Sequence, residues 1–213
     1  MEDVLDLYTE AATATEAARR ARPLVCFDER PVVLRADAYP SQPCAPGEPA
    51  RVDYEYVRQG TGCCLVSFAP FDGWRRVTVA AHRANADFAH AMRRLADEDF
   101  PDAVVIRVVL DNLSTHTAAA LYQTFPPAEA RRLAARLEFH YTPRHASWLN
   151  MAELELAVLV RQCLARRLPT LGAVARETAA WEGARNHAEI GVTWRFTTAD
   201  ARVKLARLYP QIA

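Results

Sequence analysis

The stretch AVVIRVVLD, residues 103–111, is a nearly continuous run of β-branched and apolar residues that ends on an acid. Such a run is typical of a strand buried on both faces in the middle of a sheet. Asp111 then falls at the carboxyl end of a core strand, where α/β sheets place their ligand sites. A shorter apolar run, PLVCFDE at residues 23–29, also ends on acids, and Asp28 takes the corresponding place. We therefore expect Asp28 and Asp111 to converge over one sheet.

The segments around this run predict a mixed sheet. Strands are expected at 23–29, at 31–36, within 62–81 as two strands around the turn PFDG, at 103–110 and at 138–143. Helices are expected at 1–20, 85–100, 111–125 after a turn, 126–137, 147 to about 167, 170–187 and 197–209, and residues 37–50 with four prolines read as a loop. A three-strand meander followed by alternating helices and strands predicts an α/β fold, a mixed five-stranded sheet flanked by helices with extra C-terminal helices.

Bulk composition excludes several protein classes. The 213 residues are 51% hydrophobic, which suits one compact domain and excludes a disordered chain. No run of about 18 apolar residues predicts a membrane span, and the acidic start MEDVLDLYTE is no signal peptide. We therefore expect a soluble, cytoplasmic protein. The five cysteines are odd in number and lack zinc-site spacing, so buried, reduced thiols are expected.

Charge is unevenly distributed along a chain whose net charge is zero. Residues 1–100 hold 12 arginines against 16 acids, and residues 101–213 hold 14 basic residues against 10 acids. The zero total argues against a protein that coats nucleic acid by charge alone. The basic second half is suited to contacts with phosphates.

The stretch YTPRHASWLNMAELEL, residues 141–156, supplies a third acid. Read as one helix at about 100° per residue, it places Glu153 on a face with Leu149 and Leu156. Glu155 then falls on nearly the opposite side. We therefore predict that Glu153 faces the core and that Glu155 faces solvent.

Three converging carboxylates repel one another unless they are protonated or neutralised. A divalent cation neutralises them, and oxygen ligands select Mg²⁺ or Mn²⁺. Two such ions about 4 Å apart clamp an in-line phosphoryl displacement. The residues alone also allow a structural role for each acid. Asp28 is suited to forming a turn, Asp111 with Asn112 to starting one, and Glu153 to pairing with an arginine.

Three blocks of the sequence are specific enough to indicate a family. CFDE (26–29), VVLDNLSTHT (108–117) and HYTPRHASWLNMAELEL (140–156) resemble bacterial insertion-sequence transposases of the IS-six-thirty branch, relatives of the mariner transposons. The resemblance extends over essentially the whole chain. It implies a ribonuclease-H-like fold with an N-terminal helix and linker at 1–22, the catalytic domain at 23–168 and a helical extension at 169–213.

The resemblance also implies a reaction and its residues. The D, D, E triad of such enzymes corresponds to Asp28, Asp111 and Glu153, which would hold two Mg²⁺ or Mn²⁺ ions. Activated water hydrolyses a phosphodiester at a transposon end, and the freed 3′-hydroxyl then attacks target DNA. This DDE endonuclease chemistry serves DNA transposition, recombination and integration without a covalent protein–DNA intermediate.

Further residues of the motif blocks are candidates for contacting DNA or supporting the acids through water. Asn112 and His116 follow the second acid, and His116 also suits a capping or packing role. Trp148 suits either a core anchor or a platform on which a base stacks. The candidates that lead into the helix of the third acid are Arg144, His145, Trp148 and Asn150. Arginines suited to following the DNA backbone are Arg131, Arg132, Arg144, Arg166 and Arg167.

The expected partners are double-stranded DNA, as transposon ends and target, and a second copy of the chain on that DNA. Relatives carry helix-turn-helix modules ahead of the catalytic domain, and the roughly 20 residues before the first strand are too few for one. We therefore expect end recognition to lie in an upstream domain or reading frame, and the protein to associate with the bacterial nucleoid. The alternatives are a truncated transposase acting as a non-autonomous DNA-binding or dimerisation module, and another ribonuclease-H-like nuclease.

Overall fold

A five-stranded sheet forms the centre of the molecule. The computed structural model describes residues 1–40, 42–51, 53–144 and 146–209. The strands are β1 Leu24–Asp37, β2 Tyr56–Ala69, β3 Trp74–Ala80, β4 Ile106–Leu110 and β5 Leu137–Tyr141. Their order across the sheet is β3-β2-β1-β4-β5. The first three strands are antiparallel, and β4 and β5 run parallel to β1, so the predicted mixed sheet is confirmed.

Helices cover both faces of this sheet. They are α1 Glu2–Thr13, α2 Glu16–Ala21, α3 Asn85–Arg94, α4 Ala118–Thr124, α5 Pro127–Ala134, α6 Ala152–Leu159, α7 Leu171–His187 and α8 Thr198–Lys204. Short 3₁₀ turns occupy Ser147–Leu149 and Ala206–Leu208, and π-helical turns extend α3 over Leu95–Asp99 and α6 over Val160–Leu164. Among the described residues, no helix is both long and apolar enough to cross a membrane.

Strand β1 is one strand of 14 residues, where the sequence predicted two shorter pieces. Pairing with β4 stops at Cys26, so the rest of β1 pairs with β2 only. Pro31 lies in that second half, opposite Cys63. A proline, which lacks a backbone donor, is tolerated in a strand that has become an edge. Asp28 consequently does not end β1; it lies where the neighbouring strand β4 ends.

Two local predictions also need correction. The first 20 residues form two helices, because Thr15 is extended and its side chain accepts a hydrogen bond from the N–H of Ala18 at the start of α2. Of the cysteines, four are buried free thiols as expected, whereas Cys44 is exposed because it lies in the proline-rich loop.

Alternation along the strands builds a separate core on each face of the sheet. On β1, Cys26 packs with α1, α6 and α7, whereas Val25 and Phe27 pack with α3, α4 and α5. On β4, Val109 belongs to the first core and Val108 to the second. Since successive side chains point to opposite faces, the residue after Phe27 faces the side covered by α6.

The N-terminal helix belongs to the first of these cores. Val4, Leu5 and Tyr8 of α1 are fully buried in it. The hydroxyl of Tyr8 donates a hydrogen bond to the carbonyl of Leu149, just before α6. Helix α1 therefore supports the segment that leads into α6.

Candidate active site

Asp28 and Asp111 lie side by side at the carboxyl end of the parallel strands. Cys26 of β1 is paired with Val109 of β4, and each acid stands two residues beyond its member of that pair. Because side chains alternate between the two faces of a strand, every second residue lies on the same face. Cys26 and Val109, two residues before the acids, both belong to the first core. This register brings both acids to the end of β4, as the sequence predicted. Asp28 faces α6, whereas Oδ1 of Asp111 contacts His116, whose ring packs against Phe27 and Phe88 of the second core.

Asp28 is an acid in a poorly solvated, negatively charged place. It is 8% exposed, and its Oδ1 accepts a hydrogen bond of 2.8 Å from the N–H of Glu29. Burial raises the pKa of Asp28 to about 7, the Glu29 N–H opposes this rise, and the charges of Glu153, Glu29 and Asp111 add to it. Glu153 and Asp111 are therefore both close enough to influence ionisation of Asp28.

His116 is a buried cation that holds Asp111. Its Nδ1 lies 2.6 Å from Asp111 Oδ1, and its Nε2 lies 2.9 Å from Glu29 Oε2. Burial lowers the pKa of His116, but its interactions with Asp111 and Glu29 outweigh burial and raise the pKa to about 9. The hydrogen bond from His116 in turn lowers the pKa of Asp111. The imidazolium ring packs against Phe27 and Phe88, so His116 has both a packing and an electrostatic role.

Asn150 joins the start of α6 to β1 beside Asp28. It is fully buried, and its Nδ2 donates to the carbonyl of Phe27 at 2.8 Å and lies 3.4 Å from Asp28 Oδ2. Its Oδ1 accepts from the N–H of Ala152, and its carbonyl accepts from the N–H of Glu153. Asn150 thus fixes the position of Glu153 along β1 relative to Asp28.

The two acids of α6 lie the opposite way round from the sequence prediction. Glu155 is 3% exposed, whereas Glu153 is exposed. Asn150 is extended and separates the 3₁₀ turn Ser147–Leu149 from α6, so the helical phase counted from Leu149 does not continue to Glu153. The buried stripe consists of Ala152, Glu155, Leu156, Leu159 and Cys163. Glu153 lies about 100° from the first residue of this stripe, on its flank.

Glu155 is buried because two arginines neutralise it. Its Oε1 lies 2.8 Å from Arg75 Nε of β3, a guanidinium with no exposed surface. Arg185 of α7 donates to both carboxylate oxygens, at 2.8 and 2.9 Å. Asn186 accepts from the backbone N–H of Arg75 and donates to its carbonyl. We refer to Arg75, Glu155 and Arg185 as the buried triad. Sequence reasoning missed it; the available signal was a charged residue, Arg75, within a predicted strand.

Other predicted residues line the rim of the site. Asn112 is exposed, and its amide donates to the carbonyl of Thr142. Arg144 is exposed and lines, with Asp111 and Asn112, a groove of about 310 Å³. Trp148 is 44% exposed and meets only the edge of Phe196, at 5.6 Å between ring centroids, so it is not a core anchor. His145 lies outside the described residues.

Three of the five arginines proposed to follow DNA are already paired with acids. Arg132 contacts acids on α5 and in the π-helical turn after α3, Arg166 lies 2.7 Å from Glu177, and Arg167 contacts Asp37. These pairs reduce the charge available to phosphates. Arg144 remains a candidate.

The chemistry of Asp28, Asp111 and Glu153 suits a hard divalent cation, because all three side chains are carboxylates. Their positions are not those of a closed site. Within the described ranges, no three His, Cys, Asp or Glu side chains are near enough together to hold one ion. Asp28 and Asp111 stand on neighbouring strands, and the side chain of Glu153 is exposed and makes no hydrogen bond or ion pair with a described residue.

Comparison with known proteins identifies a family and a fold. A family model described as DDE superfamily endonuclease matches residues 23–174. The Mos1 strand transfer complex matches at 13% identity with a TM-score of 0.58, over 89% of this chain and 55% of that chain. The Mos1 mariner paired end complex with Mn matches at 15% identity with a TM-score of 0.56, over 89% and 56%.

These structures show that the fold is the predicted ribonuclease-H-like fold of transposase catalytic domains. The chain spans about half the length of the Mos1 chains it matches. No curated protein matches the sequence.

The buried triad predicts which acid of α6 is important for stability. Replacing Glu155 with Gln leaves two buried arginines without their counter-charge, so we expect Glu155→Gln to lower the free energy of unfolding by about 3–5 kcal/mol. The matched change Glu153→Gln, on an exposed residue, should alter it by less than about 0.5 kcal/mol. Urea unfolding with EDTA measures both, and equal effects would contradict the assignment.

His116 predicts a pH dependence of stability in metal-free protein. Its pKa is about 9 in the folded chain and about 6.5 in an ordinary histidine. Its contribution is therefore complete below pH about 6.5 and is lost as pH rises through about 9. We expect the free energy of unfolding to fall over this range, and to fall less steeply in His116→Gln. Identical slopes would show that His116 does not bind the extra proton.

Proposed function

Because the chain belongs to the DDE superfamily endonucleases, we propose that it is the catalytic domain of a DNA transposase. The substrate is a transposon end joined to flanking DNA. The domain hydrolyses a phosphodiester there and joins the freed 3′-hydroxyl to target DNA. The observation that supports this most is the register that sets Asp28 beside Asp111 at the end of β4, with Asn150 and Glu153 of the α6 region beside Asp28.

Glu153 is the third acid in this proposal, and the buried triad is the reason. Both oxygens of Glu155 already receive hydrogen bonds from Arg185, and Arg75 lies against one of them. A carboxylate held this way cannot also bind a metal without leaving two guanidinium groups buried and unpaired. Glu153 has no such commitment. Contrary to the prediction from the sequence, Glu153 does not lie on the inward-facing stripe. The reasons for choosing it are that its side chain is unpaired among the described residues and that it lies near Asp28.

Asp28, Asp111 and Glu153 would hold two Mg²⁺ or Mn²⁺ ions. When bound, such ions activate the attacking oxygen and stabilise the leaving oxygen of an in-line displacement. The chain's own contribution is orientation. His116 holds Oδ1 of Asp111 by a hydrogen bond, so its Oδ2 is the oxygen left for a ligand. Asn150 keeps the start of α6 against β1.

The proposed partners follow from the reaction. Double-stranded DNA is the substrate as both end and target, and a second copy of the chain acts on the other end. We assign reading of the end sequence to a helix-turn-helix module outside these residues, as the family resemblance implies. The protein then works at the bacterial nucleoid.

A joining assay tests the function. A labelled duplex that carries a transposon-end sequence and ends in a 3′-hydroxyl is incubated with supercoiled plasmid, Mn²⁺ and a helix-turn-helix end-binding module supplied in trans. Wild type should give labelled joined plasmid, and Asp28→Asn and Glu153→Gln should fall to the protein-free background. The control Asp102→Asn changes an exposed acid at the other end of β4 and should remain active.

Joining by Asp28→Asn at the wild-type level would contradict the proposal. Cleavage of an RNA–DNA hybrid without any DNA joining would favour another ribonuclease-H-like nuclease.

Metal binding has a readout that does not need activity. A ligand that binds only the folded state raises its stability, by about 2.7 kcal/mol at a hundred times its Kd. We expect Mn²⁺ to raise the melting temperature of wild type and of Asp102→Asn, and to leave that of Asp28→Asn unchanged. An equal rise in all three proteins would place the ion elsewhere.

A further inference from the structure

A groove of about 320 Å³ runs between the second half of β1 and the end of α6. Its walls include Arg30, Val32, Arg35, Val160, Leu164 and Arg166. We call it the β1–α6 groove. It lies outside the three acids, and the sequence analysis did not single it out.

The groove continues from the acids along the same two elements. Arg30 stands two residues beyond Asp28 on β1, roughly 6.6 Å along the strand and on the same face. Val160 lies seven residues, about two helical turns, beyond Glu153 and therefore on the same flank of α6. A chain that passes between Asp28 and Glu153 is therefore led into this groove.

The β1–α6 groove is positively charged, and two of its three arginines are not paired with a described acid. Arg30 is exposed and has no ion pair with a described residue, and Arg35 stacks on Tyr56 at 4.8 Å without meeting an acid. Arg166 alone is paired, with Glu177. No acid is among the groove-lining residues. The guanidinium groups of Arg30 and Arg35 are therefore available to an anionic ligand.

The chemistry of the walls matches a sugar–phosphate backbone. Guanidinium groups bind phosphates, and Val32, Val160 and Leu164 offer apolar surface to sugars. The lining has no Asn, Gln, Ser or Thr side chain. Contacts of this kind position nucleic acid without reading its sequence.

We propose that the β1–α6 groove seats the backbone of the DNA strand adjoining the scissile phosphate, with Arg30 and Arg35 pairing with its phosphates. The proposal rests on the proposed function, because it takes DNA as the substrate. It makes Arg30 and Arg35 binding residues that set the path of one strand away from the acids.

Salt dependence of DNA binding tests the proposal without catalysis. Each phosphate neutralised contributes about 0.9 to the slope of log K against log salt for duplex DNA. The double variant Arg30→Gln/Arg35→Gln should lower the slope by about 1–2 and weaken binding equally for unrelated sequences. Fluorescence anisotropy with labelled duplexes in EDTA measures this. Melting temperatures confirm folding, since both side chains are exposed.

Arg93→Gln is the matched control. Arg93 is an exposed arginine on α3, on the other face of the sheet, and it stacks on Phe125 as Arg35 does on Tyr56. Its slope should equal that of wild type. A double variant with the wild-type slope, or a loss as large in Arg93→Gln, would contradict the groove assignment. If the wild-type protein joins DNA but the double variant keeps the wild-type slope, the groove assignment is wrong and the proposed function stands. If the double variant has a reduced slope but the wild-type protein never joins DNA, the groove assignment stands and the proposed function is wrong.

Discussion

The buried pairing of Glu155 with Arg75 and Arg185 determines how α6 sits on the sheet. It links β3, α6 and α7 through charges that have almost no contact with water. Turning α6 about its axis would leave an unpaired charge in the core, which is strongly destabilising. The orientation of α6 is therefore fixed, and Glu153, two residues earlier, is held on the flank beside β1. The catalytic edge depends on this constraint although none of the three members is assigned to bind metal.

The edge itself gathers more negative charge than its own groups neutralise. Glu29 and Asp111 are bridged there by the buried cation His116, and Glu153, Glu29 and Asp111 are near enough to Asp28 to influence its pKa. Burial is the main cause of the raised pKa of Asp28, and the charges of Glu153, Glu29 and Asp111 add to it. A divalent cation would restore balance, which is why electrostatics and family membership indicate the same chemistry. The unpaired arginines of the β1–α6 groove supply the opposite charge where a phosphate chain would leave the site.

The sequence predicted the sheet well because local signals determine it. The β-branched run before Asp111 and the PFDG hairpin are properties of neighbouring residues, and both were confirmed. The prediction divided β1 because its first apolar run ends on acids, whereas the strand continues past Pro31, which lies where β1 is an edge. Edge status depends on where β4 ends, which no local pattern records.

The candidate site was predicted in part, for a similar reason. Asp28 and Asp111 followed from strand ends, but the inward and outward acids of α6 were exchanged. The phase of α6 depends on the break at Asn150 and on arginines distant in sequence. Helical periodicity alone cannot show that a carboxylate is buried when the arginines that neutralise it are distant in sequence. Resemblance of the motif nevertheless selected Glu153, and the buried commitment of Glu155 supports that choice.

A crystal structure with Mn²⁺, located by its anomalous scattering, would test the assignment of the acids most directly. We expect Mn²⁺ in contact with Asp28, Asp111 and Glu153, with Glu153 turned from its exposed position and Glu155 still paired with Arg75 and Arg185. An ion bound by Glu155 with the arginine pairs broken, or no ion beside Asp28, would contradict the proposed division between the acid that binds metal and the acid that anchors the helix.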